Sequence, residues 1–201
     1  MDGVLFDTTK IAQEHLFASF PGLTEEIQKE LLVGNFHEEI KNLKIKRIEE
    51  DDEAMENRKR IYAEKKADAL MYTGTREMLF TLHKEGFVLI LNTSAYERNC
   101  FPLLEKSEVK DLFDFLGTAE ISKSKVEKFN LIKDKYQADL KDMLFITDTL
   151  GDIREADIAG VPTVAVTWGA HNENYFNREP HENLLKIIFS VEELEDFIVN
   201  Y

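Results

Sequence analysis

The chain has 201 residues, of which 43% are hydrophobic and 32% are charged, and this balance predicts a folded globular protein rather than a disordered one. Its formal net charge of -14 at pH 7 repels phosphate backbones, which excludes nucleic acid as a general partner. No apolar run approaches the roughly 20 residues that span a bilayer, and we expect no secretory leader. Cys100 is the single cysteine and cannot form an internal disulfide, so the sequence indicates a cytoplasmic protein that binds no membrane.

The first residues of the chain have the character of a loop. The run Gly3-Val4-Leu5-Phe6-Asp7-Thr8 is not preceded by the apolar residues that usually form the first strand of an α/β sheet. From about residue 10 to residue 72 the pattern is helical and strongly charged, with an acidic block at 49–53 and then five basic residues: Arg58, Lys59, Arg60, Lys65 and Lys66. We favour a solvated helix face, although one or two of these cations facing a substrate is the alternative.

After Gly74 the sequence alternates between amphipathic helices and short apolar strands. The spacing predicts helices over 75–85, 125–136 and 152–159 and from residue 96, and strands over 87–91, 143–146 and 162–166, with a short apolar segment at 113–116. Strands that alternate with helices in this way predict a parallel sheet with helices on both faces.

Polar side chains follow the predicted strands at the edge where a doubly wound sheet binds its ligands. Asp148 and Asp152 would converge on a cation such as Mg²⁺, or one of them would cap the next helix. Thr93 and Ser94 would donate to phosphoryl oxygens or simply begin a turn. Lys125 opens a predicted helix, and its neighbour Lys123 is a competing candidate for a cation at this edge.

Taken together and in this order, these residues resemble the four motifs of the haloacid dehalogenase superfamily. Met1-Asp2-Gly3-Val4 matches the first motif, Asp-x-Asp-Gly-Val, from its middle position onward, and Asp7-Thr8 continues the match. Thr93 after an apolar strand is similar to the second motif, and Lys125 at a helix start is similar to the third. The run Thr147-Asp148-Thr149-Leu150-Gly151-Asp152-Ile153 resembles the fourth, Gly-Asp-Thr-x-x-Asp-Ile, and departs from it only at Thr147.

The resemblance implies an α/β fold with a Rossmann-like parallel sheet and an inserted helical cap. It implies a core of residues 1–9 and 73–201 and a cap of residues 10–72. A cap at this place is typical of the family's C1 class, which includes phosphoglycolate phosphatases and proteins similar to β-phosphoglucomutase. The implied partner is a small phosphorylated metabolite.

The resemblance also implies a Mg²⁺-dependent phosphatase that forms an aspartyl-phosphate. In that mechanism Asp2 is the general acid and base, and its backbone carbonyl binds the metal. Thr93, Ser94 and Lys125 hold the phosphoryl group. Asp148 binds Mg²⁺ directly, and Asp152 supports it.

The nucleophile of the first motif stands two positions before Asp2, and Met1 occupies the position between them. We therefore expect Met1 to be an internal methionine of an N-terminally truncated or mis-started sequence, and the chain itself to be inactive and destabilised. The alternatives are a non-catalytic relative that binds a phosphate or a partner, a sugar phosphomutase, and an unrelated doubly wound domain with coincidental acids.

Overall fold

A computed structural model describes all residues from Met1 to Tyr201. The helices are α1 Thr9–Ser19, α2 Glu25–Leu31, α3 Phe36–Asn42, α4 Asp52–Ala67, α5 Thr75–Lys84, α6 Glu97–Lys106, α7 Lys125–Tyr136, α8 Leu150–Ala159, α9 Glu173–Phe176 and α10 Val191–Asn200. The strands are β1 Ile90–Asn92, β2 Phe115–Gly117, β3 Phe145–Thr147, β4 Thr163–Val166 and β5 Leu184–Ile188. None of the helices combines the length and the apolar character that crossing a bilayer requires.

All strand pairs are parallel, which confirms the α/β fold class. The strands form two separate sheets, one with the order β1-β2 and the other with the order β3-β4-β5. The first residues form a tight turn instead of a strand, in which the amides of Val4, Leu5 and Phe6 all donate to the Met1 carbonyl. Phe6 is completely buried and makes only isolated bridges, to Asp2 and to Met71.

The strand predicted over 87–91 is shorter than expected. It comprises only Ile90–Asn92, and Phe87 and Val88 are 40% and 56% exposed. The reason is pairing: β1 has one neighbour, β2, and their register begins at Ile90. The other predicted strands likewise lie one or two residues later or are shorter, whereas α7 has the predicted bounds. Neither β5 nor α10 was predicted from the sequence.

One main core holds the two sheets together. It contains 15 buried residues, among them Val4, Leu5 and Phe6 from the N-terminal turn, Leu91 from β1, and Val164 and Val166 from β4. Burial of apolar side chains from both sheets in one cluster compensates in part for the absence of hydrogen bonds between β1 and β3. The N-terminal turn therefore packs in the core with its polar residue, Asp2, next to the carboxyl ends of the strands.

Helices α1 to α4 fill the region predicted as a cap. Helix α4 packs on α1 and on α6 of the sheet region. The turn between α2 and α3 lies against the start of α8, because Gly151 N donates to the Leu32 carbonyl at 2.9 Å and Arg154 donates to the Val33 carbonyl at 2.7 Å. These contacts close one side of a cavity over the carboxyl ends of the strands.

Candidate active site

A cavity of about 710 Å³ lies between the strand ends and helices α1 to α4. Its lining brings together all six residues that the sequence singled out: Asp2, Thr93, Ser94, Lys125, Asp148 and Asp152. Four separated stretches of the chain thus meet around one space, at the sheet edge where ligands bind in doubly wound folds.

Asp2 lies at the start of the N-terminal turn and is held by two donors. Thr8 Oγ1 donates to it at 2.8 Å, and Lys66 Nζ lies 2.8 Å from its carboxylate. Burial opposes ionisation of this carboxyl, but the Lys66 ammonium, the N-terminal ammonium and the hydrogen bond from Thr8 together outweigh it and hold the pKa of Asp2 below its ordinary value. Asp2 is therefore ionised at neutral pH.

Lys66 was not identified as a site residue from the sequence. It lies on α4 and is 1% exposed, whereas its neighbour Lys65 is exposed and pairs with Glu14. Burial lowers the pKa of Lys66, but the carboxylate of Asp2, with a smaller contribution from Tyr62, outweighs burial and raises that pKa above its ordinary value, so the ammonium form persists. No sequence signal separated Lys66 from the other four cations of the segment, because the distinction depends on which face of α4 meets Asp2.

Lys125 is the first residue of α7, and its ammonium joins two other elements. Its Nζ lies 2.8 Å from Asp152 Oδ1 and donates to Ser94 Oγ at 2.9 Å. The residue is 4% exposed, whereas Lys123 is exposed. Burial lowers the pKa of Lys125, but Asp152, with smaller contributions from Glu155 and Asp148, outweighs burial and leaves that pKa above its ordinary value, so the ammonium form persists. Asp152 also accepts from Thr147 Oγ1 at 2.7 Å.

Thr93 begins the turn that follows β1. Its amide donates to the Gly117 carbonyl at 2.9 Å, and its hydroxyl oxygen accepts from Ala95 N at 3.1 Å. Because that hydroxyl only accepts, its own proton remains available for another acceptor in the cavity. The Thr93 carbonyl receives a hydrogen bond of 2.6 Å from the ammonium of Lys128, a completely buried residue that the sequence reading also missed.

Asp148 follows β3, and its position in the cavity disfavours the ionised form of its carboxyl group. It is 7% exposed, and its Oδ2 accepts from Ala170 N at 2.8 Å. Burial, partly offset by that hydrogen bond, and the nearby Asp152 raise the pKa of Asp148 to about 6. A Cβ atom on Gly3 or on Gly169 would overlap Asp148 Oδ2, so only glycine leaves room for this carboxylate at both positions.

The helix cap that follows β3 is neither of the two acids. Thr149 is the N-cap of α8, and its hydroxyl accepts from the amide of Asp152 at 3.3 Å. The carboxylates of Asp148 and Asp152 are thus free of the capping task that was the alternative to a metal role. A glycine, Gly160, in the left-handed conformation ends the helix.

The oxygen atoms of the cavity could bind a hard cation at one carboxylate, but they do not form a complete set of protein ligands around it. No three acidic, histidine or cysteine side chains converge as a ligand group. Asp2 and Asp152 form ion pairs with Lys66 and Lys125, whereas Asp148 forms no ion pair with a lysine. Its pKa is raised chiefly by burial, which outweighs the hydrogen bond from Ala170 N and the attraction of the N-terminal ammonium. Mg²⁺ commonly binds to one or two carboxylates and keeps several waters, and Asp148 meets that requirement.

Comparison with known proteins agrees with this geometry. Residues 1–166 match the family model of haloacid dehalogenase-like hydrolases. Phosphoglycolate phosphatase of Nitrosospira multiformis is 32% identical over 109 residues, which are 53% of this chain and 48% of that protein. The same enzyme of Aliivibrio fischeri is 29% identical over 114 residues, which are 55% of this chain and 50% of that protein. The chain spans about half the length of the curated relatives it matches.

Solved structures share the whole fold. A predicted phosphatase from Clostridium acetobutylicum superposes with a TM-score of 0.75 at 18% identity, covering 100% of this chain and 96% of that one. CbbY from Rhodobacter sphaeroides, crystallised in complex with phosphate, superposes with a TM-score of 0.73 at 15% identity and covers 94% of this chain and 90% of that one. These likenesses confirm the fold expected from the motifs. The chain belongs to the haloacid dehalogenase-like hydrolase family.

Proposed function

We propose that this protein is a Mg²⁺-dependent phosphatase that acts on a small phosphate ester through an aspartyl-phosphate intermediate. The observation that carries the proposal is the meeting of Asp2, Thr93, Lys125 and Asp148 around one cavity. We place the catalytic core in residues 1–9 and 73–201 and a cap in residues 10–72. The curated relatives that support the proposal are named phosphoglycolate phosphatases.

The nucleophile in this proposal is an aspartate two positions before Asp2, in a sequence that continues upstream of Met1. An aspartate there would project to the same side of an extended backbone as Asp2, because alternate residues of a strand share a face. Aspartate attack would split phosphate hydrolysis into two easier steps, formation and hydrolysis of the aspartyl-phosphate. The chain that begins at Met1 is proposed to bind phosphate but to turn over no ester.

Three groups of this chain would hold the phosphoryl group. Lys125 supplies a permanent positive charge, and Ser94 is already within hydrogen-bonding distance of it. Thr93 offers its unused hydroxyl proton to a phosphoryl oxygen. Fixed charges and donors of this kind stabilise the negative charge that collects on the transferring group. They also offset the repulsion that a protein of net charge -14 exerts on an anionic substrate.

Asp2 would exchange protons with the leaving group and with water. Beside Lys66 its carboxylate is ionised and can take a proton from the attacking water in the second step. The first step needs its acid form, which is favoured when the Lys66 ammonium moves away. Because Lys66 belongs to the proposed cap, movement of α4 would adjust the proton affinity of Asp2 between the two steps.

Mg²⁺, when bound, would neutralise charge on the phosphoryl oxygens, and we propose Asp148 as its direct ligand. Asp152 would support the site through Lys125, and the backbone carbonyl of Asp2 is proposed as a further ligand. Gly3 and Gly169 keep the space beside Asp148 clear. We propose Mg²⁺ because all of these ligands are oxygen atoms, which this cation prefers.

The substrate is proposed to be a small phosphorylated metabolite enclosed between core and cap. A cavity of about 710 Å³ lies within the range of roughly 300–1,000 Å³ that is usual for sites that enclose a whole small molecule. We propose the cytoplasm as its location, which agrees with a single buried and unpaired thiol, Cys100.

The test begins with the reading frame upstream of Met1. The chain extended by the encoded residues is assayed on p-nitrophenyl phosphate with Mg²⁺ and with a chelator. We expect turnover only with Mg²⁺, and a loss of at least about 100-fold in kcat/KM for Asp148→Asn. Asp142→Asn, an exposed aspartate outside the cavity, is the matched control and should keep full activity.

Three results would contradict the phosphatase. A stop codon directly upstream of Met1 would remove the proposed nucleophile. Saturable phosphate binding by the extended chain without any turnover would favour a binding module instead, and conversion of a sugar phosphate into its isomer would favour a phosphomutase.

A further inference from the structure

Lys128 is a buried cation to which the motifs assign no task. It lies on the same helix as Lys125, three residues later, and its side chain has no exposed surface. The two other buried lysines, Lys66 and Lys125, pair with Asp2 and Asp152, whereas Lys128 forms no ion pair. A buried ammonium without a counter-ion is costly, so a structural role alone would be served better by an apolar side chain.

The geometry of Lys128 directs its charge to the turn after β1. Its Nζ donates to the Thr93 carbonyl at 2.6 Å. Its stem passes over β2 so closely that a Cβ on Gly117 would lie 3.4 Å from its Cδ. The two buried lysines of α7 therefore reach consecutive residues of one turn, Lys128 the Thr93 carbonyl and Lys125 the Ser94 hydroxyl.

We propose that Lys128 is a positioning residue that holds the Thr93–Ser94 turn in place and adds a second buried positive charge behind the bound phosphoryl group. This proposal rests on the proposed function, since it assumes that the turn binds a tetrahedral dianion. The anion would then be the counter-ion that the protein itself does not provide for Lys128. Binding of the anion and protonation of Lys128 would favour each other.

The surroundings of Lys128 make this coupling observable near neutral pH. Burial, reinforced by the charge of Lys125, lowers the pKa of Lys128 to about 8, while Asp152 and Glu155 on α8 oppose the shift. His37 on α3 is a further titratable group that faces it, and burial keeps the pKa of that imidazole below its ordinary value. Lys128 is thus charged at pH 7 and loses its proton above pH 8.

The test measures binding of tungstate, a tetrahedral dianion whose charge is constant over this range, to the chain as it stands. Affinity is determined by calorimetry from pH 6.5 to 9.5 for the wild type, Lys128→Met and Lys128→Gln. Lys133→Met removes an exposed charge from the same helix and is the matched control. Thermal unfolding at each pH establishes that the variants are folded, and methionine is expected to keep or raise the midpoint because it buries no charge.

For the wild type and Lys133→Met we expect affinity to fall about tenfold between pH 7 and pH 9.5. Both Lys128 variants should bind about tenfold more weakly at pH 7 and should show no further loss on the alkaline side. Equal alkaline loss in the wild type and in folded Lys128→Met would overturn the proposal while leaving the phosphate site intact. Absence of tungstate binding by the wild type at every pH would overturn the proposed function together with it.

Discussion

The ammonium of Lys66 lies 2.8 Å from the carboxylate of Asp2, a residue 64 positions away in the sequence. One partner belongs to the helical segment and the other to the N-terminal turn of the sheet region. This ion pair therefore does two things at once: it ties α4 to the strand ends, and it sets the protonation of the residue proposed as the acid and base.

Replacement of Lys66 by methionine should destabilise the protein at neutral pH. Asp2 would lose the partner that lowers its pKa, and its side chain is 37% exposed, so solvent screening limits the loss to about 1–3 kcal/mol. Lys65→Met, which removes an exposed charge from the next position, should cost less than about 1 kcal/mol. Urea unfolding at pH 7 measures both, and equal losses would show that the pair contributes nothing particular.

The effect of Lys66→Met should depend on pH with a defined sign. Because Lys66 lowers the pKa of Asp2, its contribution is fully present above the ordinary aspartate pKa and is lost as the pH falls through the lowered value. The difference in unfolding free energy between wild type and variant should therefore be largest at neutral pH and shrink on acidification, as Asp2 of the variant and then Asp2 of the wild type take up a proton. A difference that grew on acidification would contradict the assignment.

Asp148→Asn should stabilise the protein when no metal is present. Burial raises the pKa of Asp148 to about 6, so ionising it costs stability at every pH above that value, by up to about 3 kcal/mol at pH 7 relative to an ordinary aspartate. Asparagine can still accept from Ala170 N without the charge. In a chelator the variant should melt several degrees higher than the wild type at pH 7.5, and the two midpoints should approach each other at pH 4.5.

Mg²⁺ should reverse that order. A cation that binds the folded state of the wild type stabilises it in proportion to its concentration, whereas the variant lacks the charged ligand. We expect the wild-type midpoint to rise with added Mg²⁺ and the Asp148→Asn midpoint to stay constant. An equal rise of the midpoint in both proteins would show that Mg²⁺ does not bind at Asp148.

Substitution of two glycines in the left-handed conformation should distinguish the cost of backbone strain from the cost of steric overlap. Gly3 has a φ of +66° and Gly160 a φ of +74°, but an added Cβ would overlap Asp148 at Gly3 and would meet nothing at Gly160. Gly160→Ala should cost about 1–2 kcal/mol from backbone strain alone. Gly3→Ala should cost more and should weaken Mg²⁺ binding, which Gly160→Ala should not. Equal losses by urea unfolding would mean that Gly3 serves only the turn.

Much of the fold was predictable because it follows from local patterns. Helix α7 has its predicted bounds, since Ser124 caps it and its apolar spacing continues to Tyr136. The positions of Thr93, Lys125 and Asp148 in one cavity follow from the rule that ligands bind at strand carboxyl ends. The length of β1 was not predictable in this way, because apolar character at Phe87 and Val88 does not reveal that no neighbouring strand is there to pair with them.

Lys66 and Lys128 show where such prediction stops. Both are lysines in charged helical segments, and in sequence they look like the exposed lysines beside them. What distinguishes them is burial and a partner that lies far along the chain, at Asp2 and Thr93. Neither property leaves a local pattern, so a structure was needed to find two of the three buried cations around the cavity.

Because the strands form two separate sheets, Lys125 also has a structural role between them. Ser94 follows β1 in one sheet and Asp152 stands beyond β3 in the other, and no backbone ladder joins those strands. The ammonium of Lys125 contacts both side chains and so links the strand ends of the two sheets. Replacement of Lys125 by methionine should therefore allow the turn at Ser94 and the start of α8 to move apart. Anion binding would then lose both a positive charge and the fixed position of the Ser94 turn.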